Sequence, residues 1–442
     1  PVEVVKRIRG EVGPNFPILF RFSVTEWLPD TLTMEEGLEY AKVLERASVD
    51  CLDVSGGFYD TKEQYPMQGE PADKLVSLAE AVKKAVAIPV IAVGSLGFDP
   101  DVATSVVKDG RADMVHFGRE LIADPHLPNK IRAGRFDRAR RCIRCMECMG
   151  CINRGWSVAC AINGETGFEY RKLTAPAPEK KNVVIVGGGP AGLECAVTAA
   201  RRGHAVTLFE KEDAIGGLAR IGCRTEYKSV EIESFLGFYK TMLDELGVAV
   251  KLGAEATPET VAALKPDQVI VATGAVPIRP GIPGIEKTVE ATNVLLNDAE
   301  GIGEEVCVIG GSGVGIDVAI FLTDRGKKVT VLEMTGAMAH ELAPHLQWHV
   351  TELADKKGVS MLTGHKVTGI TGGKVAVDAA GQSKEIACDS VVNAVGFKRV
   401  DTSAFETAME KAGIPCRAIG PMDGAGKFLT VVAAGFHAGA EI

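Results

Sequence analysis

No stretch of this chain reaches the ~18 consecutive apolar residues of a membrane span. Its start has neither the charged nor the apolar region of a secretory leader. Aromatic residues are scarce at 6%, while glycines number 50. That balance suits an α/β fold with many tight strand-to-helix turns. A basic stripe is missing too, and the net charge of −9 weighs against a nucleic-acid partner. Five of the eleven cysteines are clustered in one stretch, which favours a reducing, cytoplasmic compartment over a disulfide framework. An initiator Met is also lacking. Pro1 opens in the middle of a helix-like segment, so a preceding N-terminal part is expected.

What is present reads as a soluble globular protein, 46% hydrophobic and 24% charged. Its 442 residues exceed one ordinary core, so two or three domains are expected. An amphipathic segment ends at Gly13. Strands at 17–23, 51–55, 89–95 and 112–119 then alternate with helices at 34–47, 72–86 and 99–110. This alternation predicts parallel βαβ units. Four strands without a dinucleotide fingerprint look like half of a (β/α)8 barrel. Gly94-Ser95 and Gly118-Arg119 each sit where a strand gives way to a loop, and the loops after the last two strands of such barrels commonly form a phosphate site. Arg21, inside an apolar strand, calls for a partner, with a buried ion pair as the plain reading.

Five cysteines fall in RCIRCMECMGCINRGWSVAC, residues 141–160, as Cys142-x2-Cys145-x2-Cys148-x2-Cys151 and then Cys160. Paired CxxC units would suit zinc. A ferredoxin-type run would end in C-x3-C-P, and that Pro is missing. A single [4Fe–4S] cluster with a remote fourth ligand fits best, in either of two registers: Cys142, Cys145, Cys148, Cys160, or Cys145, Cys148, Cys151, Cys160. The six scattered cysteines read as small core residues. After Cys160 the periodicity fades into a Pro-Ala-Pro stretch, a semi-extended linker with a boundary near residue 178.

NVVIVGGGPAGLECAVTAARRGHAVTLFEK is a strand, a glycine turn, a helix and a second strand. Gly187, Gly189 and Gly192 take the GxGxxG positions, and Glu210 ends the second strand, ready to accept from ribose hydroxyls. A second unit, EEVCVIGGSGVGIDVAIFLTDRGKKVTVLEM, has Gly310, Gly313 and Gly315. Ser312 replaces the middle Gly of its fingerprint, which a negative φ would allow. Glu333 ends its second strand, and an acid there favours NADH over NADPH. Met334 adds no positive charge, although Lys327 and Lys328 lie a few residues earlier. His340, His345 and His349 are near helical spacing and read as a solvated helix face.

FRFS, the VGSLG loop and ADMVHFGRELIADPHLPNK followed by CIRC resemble the second half of an old-yellow-enzyme barrel. They are most similar to its large iron–sulfur members, the 2,4-dienoyl-CoA reductase, 2-enoate reductase and trimethylamine dehydrogenase type. The resemblance covers essentially the whole chain. It implies FMN, with Arg21 near the flavin ring and Gly94, Ser95, Gly118 and Arg119 around its phosphate. It implies the cluster register Cys142, Cys145, Cys148 and Cys160, with Cys151 spare. Tyr59 stands where the dienoyl-CoA reductase type has a His, and is the candidate catalytic residue. IGG at 215–217 and VIVATGAVP at 269–277 resemble two-dinucleotide flavoproteins, which implies FAD at the first turn, with Gly217 near the pyrophosphate and Thr273-Gly274 at the edge. Pro421 replaces the acid this family usually places after IG, and Asp423 lies two residues on.

The expectation is therefore an α/β protein. Residues 1–140 form the C-terminal half of an FMN-binding barrel and 141–178 the [4Fe–4S] segment and linker. Residues 179–300 with 395–442 form the FAD domain, and 301–394 the NAD(H) domain. The expected activity is NADH-dependent reduction of an activated C=C bond in an unsaturated acid or acyl-CoA. An amine dehydrogenase passing electrons to a carrier protein is the alternative. Four barrel strands leave open sheet edges, so the stretch by itself is expected to lack reductase activity. Homo-oligomerisation is compatible with this reading.

Overall fold

The computed structural model describes residues 1–58, 61–421 and 426–442. The chain divides into two compact units, Pro1–Arg144 and Cys145–Ile442. The division falls inside the cysteine stretch.

The first unit is built on a four-stranded parallel sheet in chain order: Leu19–Ser23, Cys51–Ser55, Val90–Ala92 and Met114–Val115. The last two strands are shorter than expected, because the chain turns away after Ala92 and Val115. Two of the helices between them start where the sequence says they should, while the one expected from residue 72 begins at Val76. Thr33 and Glu36 exchange hydrogen bonds as a capping box for Met34–Arg46, and Asp99 caps Pro100–Lys108. Strand alternation then separates two faces. Phe22, Leu52, Val54, Val90 and Ala92 are buried with Leu44, Val76, Ala79 and Val82 from the helices. The other face carries Leu19, Arg21 and Asp53, and Leu19 is 58% exposed. Within this unit Leu19–Ser23 and Met114–Val115 are the two edge strands.

The second unit contains two five-stranded parallel sheets. One runs in the spatial order Cys416–Ala418, Gln268–Val271, Asn182–Val186, Ala205–Phe209, Ala249–Lys251. The other runs Val289–Glu290, Ser390–Asn393, Glu305–Ile309, Lys328–Leu332, Ser360–Leu362. In both, the strand order reverses beside the strand that precedes the glycine turn, which is where such sheets open a crevice for ligands. An antiparallel sheet, His365–Thr371, Lys374–Ala379 and Gln382–Ala387, packs Val367, Val375 and Val377 against Cys307 and Leu332.

Two expectations change here. The stretch after Cys160 is packed rather than extended. Ala161, Ile162, Asn163 and Thr166 are buried, and a Cβ built on Gly164 would lie 2.4 Å from the Phe436 Cβ. The apolar Ala161-Ile162 pair and the Phe168 ring, edge-on to His437, dock it on the C-terminal helix Phe428–Ala440. The three histidines share no solvated face. His340 precedes the helix Pro344–Lys356, and His345 within it is buried.

That C-terminal helix lies tightly on Pro190–Arg201 through small residues. A Cβ on Gly435 would sit 2.2 Å from the Ala191 carbonyl oxygen, whereas one on Gly237, mid-helix in Ser229–Glu245, meets nothing within 4 Å. Opposite signs follow for one substitution type. Gly435→Ala lowers stability by about 1–3 kcal/mol through overpacking, while Gly237→Ala raises it by up to about 1 kcal/mol through helix propensity. Urea unfolding of the two variants checks this; equal effects would contradict the packing.

Candidate functional site

In the first unit, the sheet's exposed face gathers a charged group. Arg21 and Asp53 lie directly opposite in register, and the guanidinium Nη1 donates to Asp53 Oδ2 at 3.2 Å. His116 Nδ1 lies 3.1 Å from that same Nη1 and 2.9 Å from that same Oδ2. One ring nitrogen cannot accept from the guanidinium and donate to the carboxylate at once, so the proton on Nδ1 selects which contact is made. Asp53 Oδ1 is buried without a partner, leaving the Arg21 and His116 contacts to hold this carboxylate. Arg21 is thus ion-paired, as expected, but its side chain is 51% exposed rather than buried. Asp53 and His116 were missed by sequence reasoning. They lie 32 and 95 residues from Arg21, and the one available signal was an acid at an alternating position in CLDVS.

At the loop ends of the third and fourth strands the structure brings together Ser95 and Arg119, with Arg119 Nη2 donating to Ser95 Oγ at 3.1 Å and to the Pro66 carbonyl at 3.0 Å. Gly94 has φ 140 and Gly118 has open space where a side chain would be, so backbone approach by a ligand is unobstructed at Gly118. The Gly118 N–H donates to Glu120 Oε2 at 3.0 Å. Glu120 is buried, and desolvation pushes its carboxyl above the ordinary range against the lowering effect of backbone donors and Arg119. This corner offers an anion one guanidinium, one hydroxyl and backbone. Tyr59 and Asp423 lie outside the described residues.

The two glycine turns are repeats in three dimensions. Gly187 has φ 108, and a Cβ there would meet the Ala272 carbonyl oxygen at 2.4 Å; a Cβ on Gly192 would meet the Gly187 carbonyl oxygen at 1.9 Å. Gly189 has nothing within 4 Å of its Cβ position, which is the open side a pyrophosphate needs. Gly217 lies against Gly189, and the Thr273 N–H borders Gly187. In the second turn Gly310 has φ 101, and Gly315 would bring a Cβ within 2.0 Å of the Gly310 carbonyl oxygen. Ser312 has φ −66 and ψ 172, close to the −77 and 177 of Gly189, so a side chain fits there without backbone strain.

Each turn is pinned by its acid. Glu210 accepts the N–H of Gly188 at 2.8 Å and of Glu212 at 2.9 Å. Glu333 accepts those of Gly311 and Thr335, both at 2.7 Å. Burial would raise the Glu333 carboxyl, but the Thr335 and Gly311 N–H donors, with the Thr335 hydroxyl and the nearby His340, together hold it below the usual range.

No disulfide links the described cysteines. Cys148 and Cys151 are buried on the short helix Glu147–Asn153, while Cys142, Cys145 and Cys160 are half-buried. Arg144 and Met146, on either side of Cys145, have φ 51 and φ 60, a costly conformation for residues with side chains. Among the described residues no group of three or more His, Cys, Asp or Glu is gathered as a metal shell. The donor chemistry, reduced thiols spaced C-x2-C-x2-C with a distant fourth, is nonetheless that of an iron–sulfur ligand set. Among the described residues no helix is long and apolar enough to cross a membrane.

Residues 1–138 match the NADH:flavin oxidoreductase / NADH oxidase family and residues 181–427 match the pyridine nucleotide-disulphide oxidoreductase family. An NADH oxidase of Thermoanaerobacter brockii is 40% identical over 100% of this chain and 69% of its own length. A cinnamate reductase of Clostridium sporogenes is 33% identical over 89% of this chain and 62% of its own. A solved complex of 2-naphthoyl-CoA reductase with 2-naphthoyl-CoA superposes with a TM-score of 0.93 at 31% identity, over 100% of this chain and 67% of that one. The chain thus spans roughly two thirds of these relatives.

Glu120 supplies a pH test. Its folded pKa is raised, so its contribution to stability is full below the unfolded Glu value and is lost as pH rises through the raised value. The unfolding midpoint of the first unit, followed by Trp27 fluorescence in variants lacking the other two tryptophans, falls as pH rises above the ordinary Glu range. Glu120→Gln flattens that fall and raises the midpoint at neutral pH. A midpoint rising with pH in the parent protein contradicts the assignment.

Proposed function

We infer the function from one premise: this chain belongs to the old yellow enzyme superfamily, as an NADH:flavin oxidoreductase with a pyridine nucleotide-disulphide oxidoreductase module behind its barrel strands. The full-length protein reduces an activated C=C bond of an unsaturated acid or acyl-CoA with electrons from NADH. The observation that carries this reading is the pair of glycine turns, each pinned by its own acid, in one chain with a barrel sheet that bears Arg21 and whose loop ends bring Ser95 to Arg119. A relative named cinnamate reductase and a solved reductase bound to 2-naphthoyl-CoA support the substrate class.

The roles divide by region. Residues 1–140 form the C-terminal half of the FMN barrel, in which Arg21 faces the flavin ring and Gly94, Ser95, Gly118 and Arg119 its phosphate. Cys142, Cys145, Cys148 and Cys160, within 141–178, ligate a [4Fe–4S] cluster. Residues 179–300 and 395–442 hold FAD through Gly187, Gly189, Gly192, Glu210 and Gly217. Residues 301–394 hold NADH through Gly310, Gly313, Gly315 and Glu333. When bound, these groups would supply the redox chemistry: uptake of one hydride from NADH, relay of its two electrons singly, and delivery of one hydride to the alkene β-carbon.

The chain's own residues do the rest. Arg21, held by Asp53 and His116, presents positive charge on the open face of the barrel sheet, where charge developing on a flavin would be stabilised. Tyr59 positions the substrate or moves a proton to its α-carbon. The Glu333 carboxylate, already ionised through its backbone donors, accepts the ribose 2′-OH and repels a 2′-phosphate. The tight turns at Gly187 and Gly310 bring helix N-termini to the two pyrophosphates.

Anaerobic stopped-flow on the full-length protein tests the direction of electron flow. NADH bleaches the flavins, NADPH does so at least about tenfold less effectively given the acid at Glu333, and an enoate such as cinnamate restores the oxidised spectrum. Bleaching by a secondary or tertiary amine with none by NADH would assign the protein to the amine dehydrogenases instead.

A further inference from the structure

The two turns differ in what covers them. In the first, the Gly216 N–H donates to the Gly188 carbonyl at 2.8 Å, and the next residue, Gly217, brings no side chain to the turn. In the second, the Ala339 N–H makes the equivalent bond to the Gly311 carbonyl at 2.6 Å. Ala339 is held there at φ 49, a conformation that costs energy for any residue with a Cβ. Two residues on, Glu341 Oε1 accepts the Gly313 N–H at 2.6 Å. Gly313 is the first residue of the helix Gly313–Thr323, so this N–H is one of the unpaired donors that a bound pyrophosphate would use.

The Glu341 carboxylate is poorly satisfied where it sits. Its Oε2 is buried without a hydrogen-bond partner, so half of the group has given up water for nothing. Its backbone is tied elsewhere. Lys427 Nζ donates to the Glu341 carbonyl and pairs with Glu147 Oε1 at 3.4 Å. Glu147 opens the short helix that carries Cys148 and Cys151. Ala343 packs on the same helix, since a Cβ built on Gly150 would lie 3.2 Å from the Ala343 Cβ.

We propose that Glu341 occupies the pyrophosphate position of the NAD(H) site and must withdraw before the dinucleotide binds, and that Lys427 ties this withdrawal to the cysteine-bearing helix Glu147–Asn153. The proposal rests on the reading of the second turn as the NADH site. A carboxylate and a pyrophosphate are both anions and compete for the same N–H, so they cannot share it. Withdrawal also returns the unpartnered oxygen to water, so the covered state yields readily to the nucleotide. Movement of 339–343 pulls on the Lys427 contact, and through it on Glu147.

The test uses this chain with NADH alone as probe. Glu341→Gln keeps the length of the side chain and one acceptor but removes the charge, and it binds NADH with a Kd about tenfold lower than the parent, equivalent to about 1.4 kcal/mol. Hydrogen exchange across 334–343 speeds up on adding NADH, while exchange across 310–316 slows. Exchange across 147–153 also responds to NADH, and Lys427→Met abolishes that response while leaving the one at 334–343. An unchanged Kd in Glu341→Gln together with unchanged exchange at 334–343 overturns the proposal and leaves the NADH site intact. Failure of both proteins to bind NADH removes the reading of the site itself. A response at 147–153 that survives Lys427→Met overturns the link to the cysteine helix.

Discussion

The second unit depends on a backbone contact that tolerates no side chain. Gly192 and Gly315 let a helix approach the preceding turn so closely that an added Cβ would fall 1.9 and 2.0 Å from a carbonyl oxygen. That approach aims each helix N-terminus at the crevice between the strands. Glu210 and Glu333 then fix the turns from the other side, each spending both carboxylate oxygens on backbone N–H groups. The carboxylates are buried, so these bonds offset a desolvation cost that would otherwise be large. The same constraint leaves helix N–H groups at the crevice for an anion to satisfy. In the second turn the Glu341 carboxylate takes one of them.

Much of this was legible in the residues. The glycine spacing and the acid at the end of the following strand specify both turns, because only glycine meets the backbone at these distances and a carboxylate offers two acceptor oxygens to two N–H groups. The φ of Ser312 follows the condition that a side chain there requires. What the residues could not show was contact between distant segments. Asp53 and His116 meet Arg21 across the sheet, and no local pattern announces a charged group assembled from three strand segments. The packing of 161–168 was hidden by its loss of periodicity, since docking onto Phe428–Ala440 uses single apolar residues rather than a stripe. His345 was misplaced for a related reason: helical spacing says which residues share a face, not whether that face is covered.

The barrel strands and the dinucleotide sheets solve different problems with similar elements. The barrel sheet gathers charge on one face, with Arg21 half-exposed and Asp53 buried beside it. The dinucleotide sheets rely instead on helix ends and carboxylate-pinned turns. A flavin ring whose charge changes during reaction suits the first arrangement, and a pyrophosphate of constant charge suits the second. The cysteine stretch lies between the two in sequence, and its helix is joined to the second turn through Lys427 and Ala343.

The central claim is that the first glycine turn is an open dinucleotide site built for FAD. Flavin released on denaturing the chain after reconstitution with a mixture of FAD and FMN measures it directly. The account predicts close to one FAD per chain bound at the Gly187 turn, lost in Gly189→Val, where a side chain would fill the open side. Retention of FAD by Gly189→Val, or release of no FAD from the parent chain, would contradict it.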